Sequence, residues 1–137
     1  MNMHPETGST ETSLENARQL ITKYGLPMLI QLVSKSPDPG GQVTTVTWVG
    51  TDGETTHQFT GFGWGYEGEA PDGLEAFFRM CHIQHRIPVD VIQRFPKNRA
   101  GVLISLVRIG WAIEYLYEGG EKLGPEFQGI EGPPVGE

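Results

Sequence analysis

The apolar positions of this chain change period several times, and each change marks a segment. Leu14, Ala17, Leu20 and Ile21 share one side at helical spacing, which predicts a helix over 13–24. Thr12-Ser-Leu-Glu15 has the form of a capping box, in which hydroxyl and carboxylate satisfy reciprocal backbone amides. Gly25 is placed to end that helix in the left-handed conformation. Pro27 opens MLIQLVSK, an apolar run too continuous for period alone to separate a short buried helix from a strand, and we read it as a helix. Residues 1–11 show no apolar period and are expected to form a flexible tail.

Alternation follows the loop Pro37-Asp-Pro-Gly-Gly41. Val43, Thr45, Thr47 and Val49 fall on one face and Thr44, Val46 and Trp48 on the other, so 42–49 reads as a strand. Gly50-Thr-Asp-Gly53 supplies turn chemistry and 55–62 a second extended segment, together an antiparallel hairpin. Asp72 with Glu75 offers a helix start, and Leu74, Phe77, Phe78, Cys81 and Ile83 form an apolar stripe, predicting a helix from Gly73 to about His85. A short helix is expected over 87–95, with Pro88 in its first turn. Asn98 can cap another reaching about Arg108 and burying Val102, Leu103, Leu106 and Val107, with Gly110 marking its end. From Trp111 to Glu118 the pattern alternates again and reads as a third strand, against the rival of one helix over 98–118. The expected fold class is α+β: an N-terminal helix or helices, a β-hairpin, a Gly/aromatic loop, then helices and a third strand completing a small antiparallel sheet.

Composition bounds this picture. The 137 residues suit one domain, expected over 12–120, with a second flexible Gly/Pro-rich tail over 121–137. No apolar run approaches the length that spans a bilayer, and the polar N-terminus lacks the features of a signal peptide, so a cytoplasmic protein without a membrane partner is expected. One cysteine, Cys81, can make neither an internal disulfide nor a cysteine-based zinc site.

Charge is unevenly distributed. The net charge is −7, yet between Arg79 and Arg108 six basic residues face Asp90 alone, a local excess of five that leaves −12 elsewhere. An acidic exterior discourages stable binding to duplex DNA, whereas the basic segment can still meet one small anion.

The stretch with the most distinctive chemistry is Thr60–Leu74, TGFGWGYEGEAPDGL, which joins the hairpin to the next helix. Glycines permit close approach of a ligand, a loop entering a helix can present unpaired amides to an anion, and Trp64 and Tyr66 offer faces for a base. The bland reading is that the two rings plug the core while the glycines let a tight corner pass. From Gly61 to Leu74 the stretch resembles a GFxWGYGGxGPxxLA element of small uncharacterised domains encoded by bacteria and phages. Glu67 stands where that element has a glycine after the tyrosine, and Ala70 where it has a glycine before the proline. The resemblance implies the order strand, loop, helix and a phage or bacterial origin, and carries no established activity.

Three readings of function follow. The favoured one is a small binding protein that holds or sequesters a nucleotide-like phosphorylated ligand through Trp64, Gly65, Tyr66, Gly68, Arg94, Lys97 and Arg99. The alternative is an acidic protein-interaction module, such as a phage-encoded anti-defence inhibitor of a host protein. The last is a small metal-dependent hydrolase using Glu67, Glu69 and Asp72. Cys81 and His85 lie four apart with His82 beside them, but two ligands do not make a site and no HExxH is present, so no metal and no cofactor are expected. No residue is assigned a catalytic role, and a homo-oligomer is compatible with all three readings.

Overall fold

The computed structural model describes residues 9–35, 41–83, 87–95, 101–109 and 112–117. Ser9 has an extended backbone (φ −79°, ψ 136°) and its hydroxyl accepts from the Thr12 amide at 3.2 Å. It is therefore the N-cap of helix α1, Thr10–Tyr24. The expected start at Thr12 is one turn late, and the helix begins inside the segment read as tail. Glu15 instead accepts from Arg18 at 2.8 Å and Gln19 at 3.1 Å along the helix surface. Gly25 ends the helix as expected, at φ 87°, with its amide on the Ile21 carbonyl at 2.8 Å. The rest of the tail expected over 1–11, and the tail expected over 121–137, lie outside the described residues.

The run MLIQLVSK contains strand β1, Leu29–Ser34, not the expected helix. It pairs antiparallel with β2, Gln42–Gly50, on one side and with β4, Gly101–Ile109, on the other. A strand central to a sheet makes backbone pairs along both edges and has little polar surface. Ile30 and Leu32 are buried on one face, and Leu29 and Val33 are half-buried on the other. The hairpin of β2 with β3, Gly53–Phe59, matches the sequence reading, although β3 ends three residues early.

Helix α2, Glu69–Met80, starts four residues before the expected Gly73 and ends short of His85, which lies outside the described residues. Its N-cap is Gly68, so Asp72 is not the cap. Asp72 and Glu69 sit in the first turn, where a carboxylate suits the helix dipole. The short helix α3 is Val89–Ile92, with Pro88 as N-cap rather than in the first turn.

The largest correction concerns 98–108. From Gly101 onward the segment is strand β4, and residues 98–100, with Asn98 as the expected cap, lie outside the described residues. β5, Ala112–Tyr117, is the expected third strand and pairs with β4 from Ile104 opposite Tyr117 to Ile109 opposite Ala112. In β4, Val102 and Val107 are half-buried while Ile104 and Leu106 are buried, so alternation replaces the helical stripe. The register with β1 slips between Leu32 and Val33, leaving Leu103 as the extra residue on β4, still within the core. The fold is thus α+β, with a five-stranded antiparallel sheet in the order β3-β2-β1-β4-β5.

One face of the sheet carries Ile30, Leu32, Val46, Trp48, Phe59, Ile104 and Leu106, and these pack into a single core with Ala17 of α1, Leu74, Phe77 and Phe78 of α2 and Ile92 of α3. The Phe59, Phe62 and Phe77 rings lie 5.5 Å apart, centroid to centroid, within it. Arg108 locks the frame: its side chain donates to the Pro27 carbonyl at 3.1 Å and to the Cys81 carbonyl, just past α2, at 3.2 Å. The opposite sheet face is more polar. There Gln31 donates to Ser105 Oγ at 3.1 Å, and the hydroxyls of Thr47 and Thr56 lie 3.1 Å apart.

Candidate functional site

The Gly/aromatic stretch crosses beneath the N-terminus of α1. Thr10 Oγ1 donates to the Gly61 carbonyl at 2.6 Å, and the Gly61 amide donates to Ser13 Oγ at 2.9 Å, so two helix hydroxyls satisfy both polar groups of one residue. A Cβ at Gly61 would collide with the Ser9 carbonyl oxygen, and one at Gly73 with the Thr10 methyl. These two glycines are required by close approach of the crossing and α2 to α1.

The next amides are engaged as well. Gly63 donates to the Ala70 carbonyl at 3.2 Å and Gly65 to the Ile92 carbonyl at 3.0 Å. The Gln42 side chain holds Trp64 from both sides, accepting from its amide at 3.1 Å and donating to its carbonyl at 3.0 Å. Groups expected to cradle an anion are thus committed to four other parts of the fold. The Trp64 ring is 1% exposed and belongs to the core, leaving no face for a ligand.

Of the other residues named from the sequence, Tyr66 is half-buried beside Gly68, and burial pushes its hydroxyl above the usual range. Gly68 is exposed. Arg94 is exposed and lies 3.6 Å from Asp90, one turn away. The bond from Gly65 to Ile92 brings α3 against the loop, so Tyr66 and Arg94 belong to adjoining segments. Lys97 and Arg99 lie outside the described residues.

Glu67, Glu69 and Asp72 are all exposed, and a shallow cleft of about 380 Å³ runs between Thr10, Glu11, Leu14, Glu69, Asp72 and Gly73. Among the described residues, no group of three or more His, Cys, Asp or Glu side chains is placed to hold a metal ion. The Cys81 thiol is fully buried, and burial pushes it up to about 12.

A larger cleft, about 520 Å³, opens where the C-terminal end of α1 meets the β2–β3 turn. Lys23, Tyr24, Asp52 and Thr55 line it around the edge of Trp48. Trp48 Nε1 donates to the Gly25 carbonyl at 2.8 Å, which fixes the end of the helix to the sheet. The Tyr24 ring leans on Trp48 with centroids 6.2 Å apart, and Lys23 Nζ lies 5.2 Å from its centre. Tyr24 is 41% and Met28 40% exposed. Sequence reasoning missed this place. The one available signal was Lys23-Tyr24-Gly25, an aromatic residue in the last turn of a helix immediately before its glycine stop.

No protein-family model, curated protein or solved structure matches the chain.

Proposed function

We propose that this protein is an acidic interaction module that binds a host protein, acting in the cytoplasm as an inhibitor of the kind phages encode against bacterial defence. One observation carries the reading: Tyr24, which lines the cleft at the C-terminal end of α1, and Met28, four residues further along the chain, are both large, apolar and exposed. Partly exposed aromatic and methionine side chains beside a concave surface are the usual anchors of a protein interface. The net charge of −7 supports a basic partner. Among the described residues no helix is long and apolar enough to cross a membrane. The test is affinity capture from bacterial extract with the wild type and with the double variant Tyr24→Ser, Met28→Ser. A partner held by the first and lost by the second, with melting temperature unchanged, is the expected result. Equal retention by both would contradict the reading.

A second reading keeps the nucleotide-like phosphorylated ligand, held at Tyr66, Gly68 and Arg94. The Gly65–Ile92 bond favours it, because it sets a half-buried tyrosine and an exposed arginine on adjoining segments. Calorimetric titration with a panel of linear and cyclic nucleotides decides it. Binding by the wild type that Arg94→Gln weakens would support this reading, and no binding to any member would remove it.

A further inference from the structure

Strand β3 is an edge strand among the described residues, with β2 as its one neighbour in the sheet. Edges of this kind are normally blunted by a proline, a lysine, a bulge or a very short strand, since an open row of backbone groups invites another chain. β3 has none of these. Its seven residues, GETTHQF, contain neither proline nor lysine and run in unbroken register with β2 from Phe59 opposite Thr44 to Gly53 opposite Gly50.

We propose that β3 pairs antiparallel with β3 of a second copy of this chain, about a two-fold axis through Thr56, to give a continuous ten-stranded sheet. The strand is complementary to itself in that register. Glu54, the one acidic residue of β3, then lies opposite Gln58 of the other copy, Thr55 opposite His57, and Gly53 opposite Phe59. No like charges meet. The two Glu54 side chains stay about 14 Å apart along the strand direction, four residues at about 3.4 Å each, which is beyond a Debye length at physiological salt. Thr56 meets its own copy on the more polar face, where its hydroxyl already lies 3.1 Å from that of Thr47. The pairing thus extends a ladder of threonine hydroxyls across the axis. Because each chain carries a net charge of −7, long-range repulsion opposes the dimer, and added salt strengthens it. This interface is separate from Tyr24 and Met28 and does not rest on the proposed partner.

The test uses the full chain. Sedimentation equilibrium over a range of concentrations should show a monomer–dimer equilibrium that shifts toward dimer as salt rises. Thr56→Lys, at an exposed position, places like charges face to face and should weaken the dimer at least about tenfold, while loss of the Thr47 contact lowers the melting temperature of the monomer only slightly and leaves it folded. Register is read by cross-linking. Directly opposed residues of antiparallel strands have Cα atoms about 4.5–5.5 Å apart, within disulfide range, so mild oxidation should link Thr56→Cys to itself and leave Glu54→Cys unlinked. Cys81 is buried and gives no background. A monomer at every concentration, a dimer indifferent to Thr56→Lys, or equal cross-linking at both positions would overturn the proposal.

Discussion

Two parts of this molecule place aromatic rings beside glycines, and the fold treats them in opposite ways. In the crossing from Gly61 to Gly73, Trp64 is sealed in the core and its backbone is held by Gln42, while Gly61 and Gly73 lie against α1. At the other end, Tyr24 precedes Gly25 on an exposed helix terminus beside an open cleft. The richer composition belongs to the crossing, yet the exposed aromatic surface lies at the helix terminus. Glycine beside a large ring therefore marks a tight crossing at the first place and a helix stop at the second. Composition alone does not separate the two.

The comparison can be broken most decisively by truncating each ring. Trp64→Ala should cost about 3–5 kcal/mol in urea unfolding, the usual price of emptying a buried aromatic site, whereas Tyr24→Ala should stay within about 0.5–1 kcal/mol. Similar losses at the two positions would remove the contrast.

Adding a single methyl sharpens it next. Gly61→Ala and Gly73→Ala should each cost about 1–3 kcal/mol or more, since the new Cβ meets the Ser9 carbonyl and the Thr10 methyl. Gly50→Ala, where a Cβ has open space, is the control in the β2–β3 turn beside the cleft.

How much of this was legible depends on how local each signal was. The hairpin was readable because period-two alternation in β2 and the turn at 50–53 are contained in a few residues. β1 and β4 were not, because each depends on the other: Gln31 and Ser105 meet across 74 positions of sequence. Val102, Leu103, Leu106 and Val107 fit a helix as well as a strand until β1 and β5 supply neighbours. The start of α1 was misplaced for a related reason. Both Ser9 and Thr12 are good caps, and the choice goes with Thr10 and Ser13, whose hydroxyls hold Gly61 across about fifty positions. The same long-range bonds hid the role of the Gly/aromatic stretch. Its order of strand, loop and helix was correct, but the engagement of its amides is invisible without α1, Gln42 and α3 in place.

An effect of similar size is expected under alkaline conditions, from the core shared by the two regions. Cys81 has a folded pKa of about 12, raised above its ordinary value of 9.0 chiefly by burial. Stability from its neutral form is complete below pH 9 and declines as pH rises toward 12, because the unfolded chain ionises first. The slope is about 1.4 kcal/mol per pH unit. Cys81→Ala should remove that component, so wild-type and variant stabilities converge between pH 9 and 11 relative to their difference at pH 7. A parallel decline would contradict the assignment.

The smallest predicted change is a gain. Thr44, on β2 opposite Phe59, is fully buried and its hydroxyl has no hydrogen-bond partner among the described residues. Thr44→Val removes that unsatisfied group at nearly constant shape and should stabilise the fold by about 1 kcal/mol in the same urea experiment. A loss instead would mean that the hydroxyl is satisfied in solution.

The central claim is that the Gly61–Gly73 crossing closes the fold and is not a mobile ligand loop. Native-state hydrogen exchange of the unmodified protein, read by nuclear magnetic resonance, tests it at four amides: Gly61, Gly63, Trp64 and Gly65. Each donates to a different part of the fold, to Ser13 Oγ, the Ala70 carbonyl, Gln42 Oε1 and the Ile92 carbonyl. All four should be protected nearly as strongly as the amides of β1 and should respond to urea as the global unfolding transition does. Exchange at the rates of an unprotected glycine-rich loop, with protection appearing only when a nucleotide is added, would contradict the account.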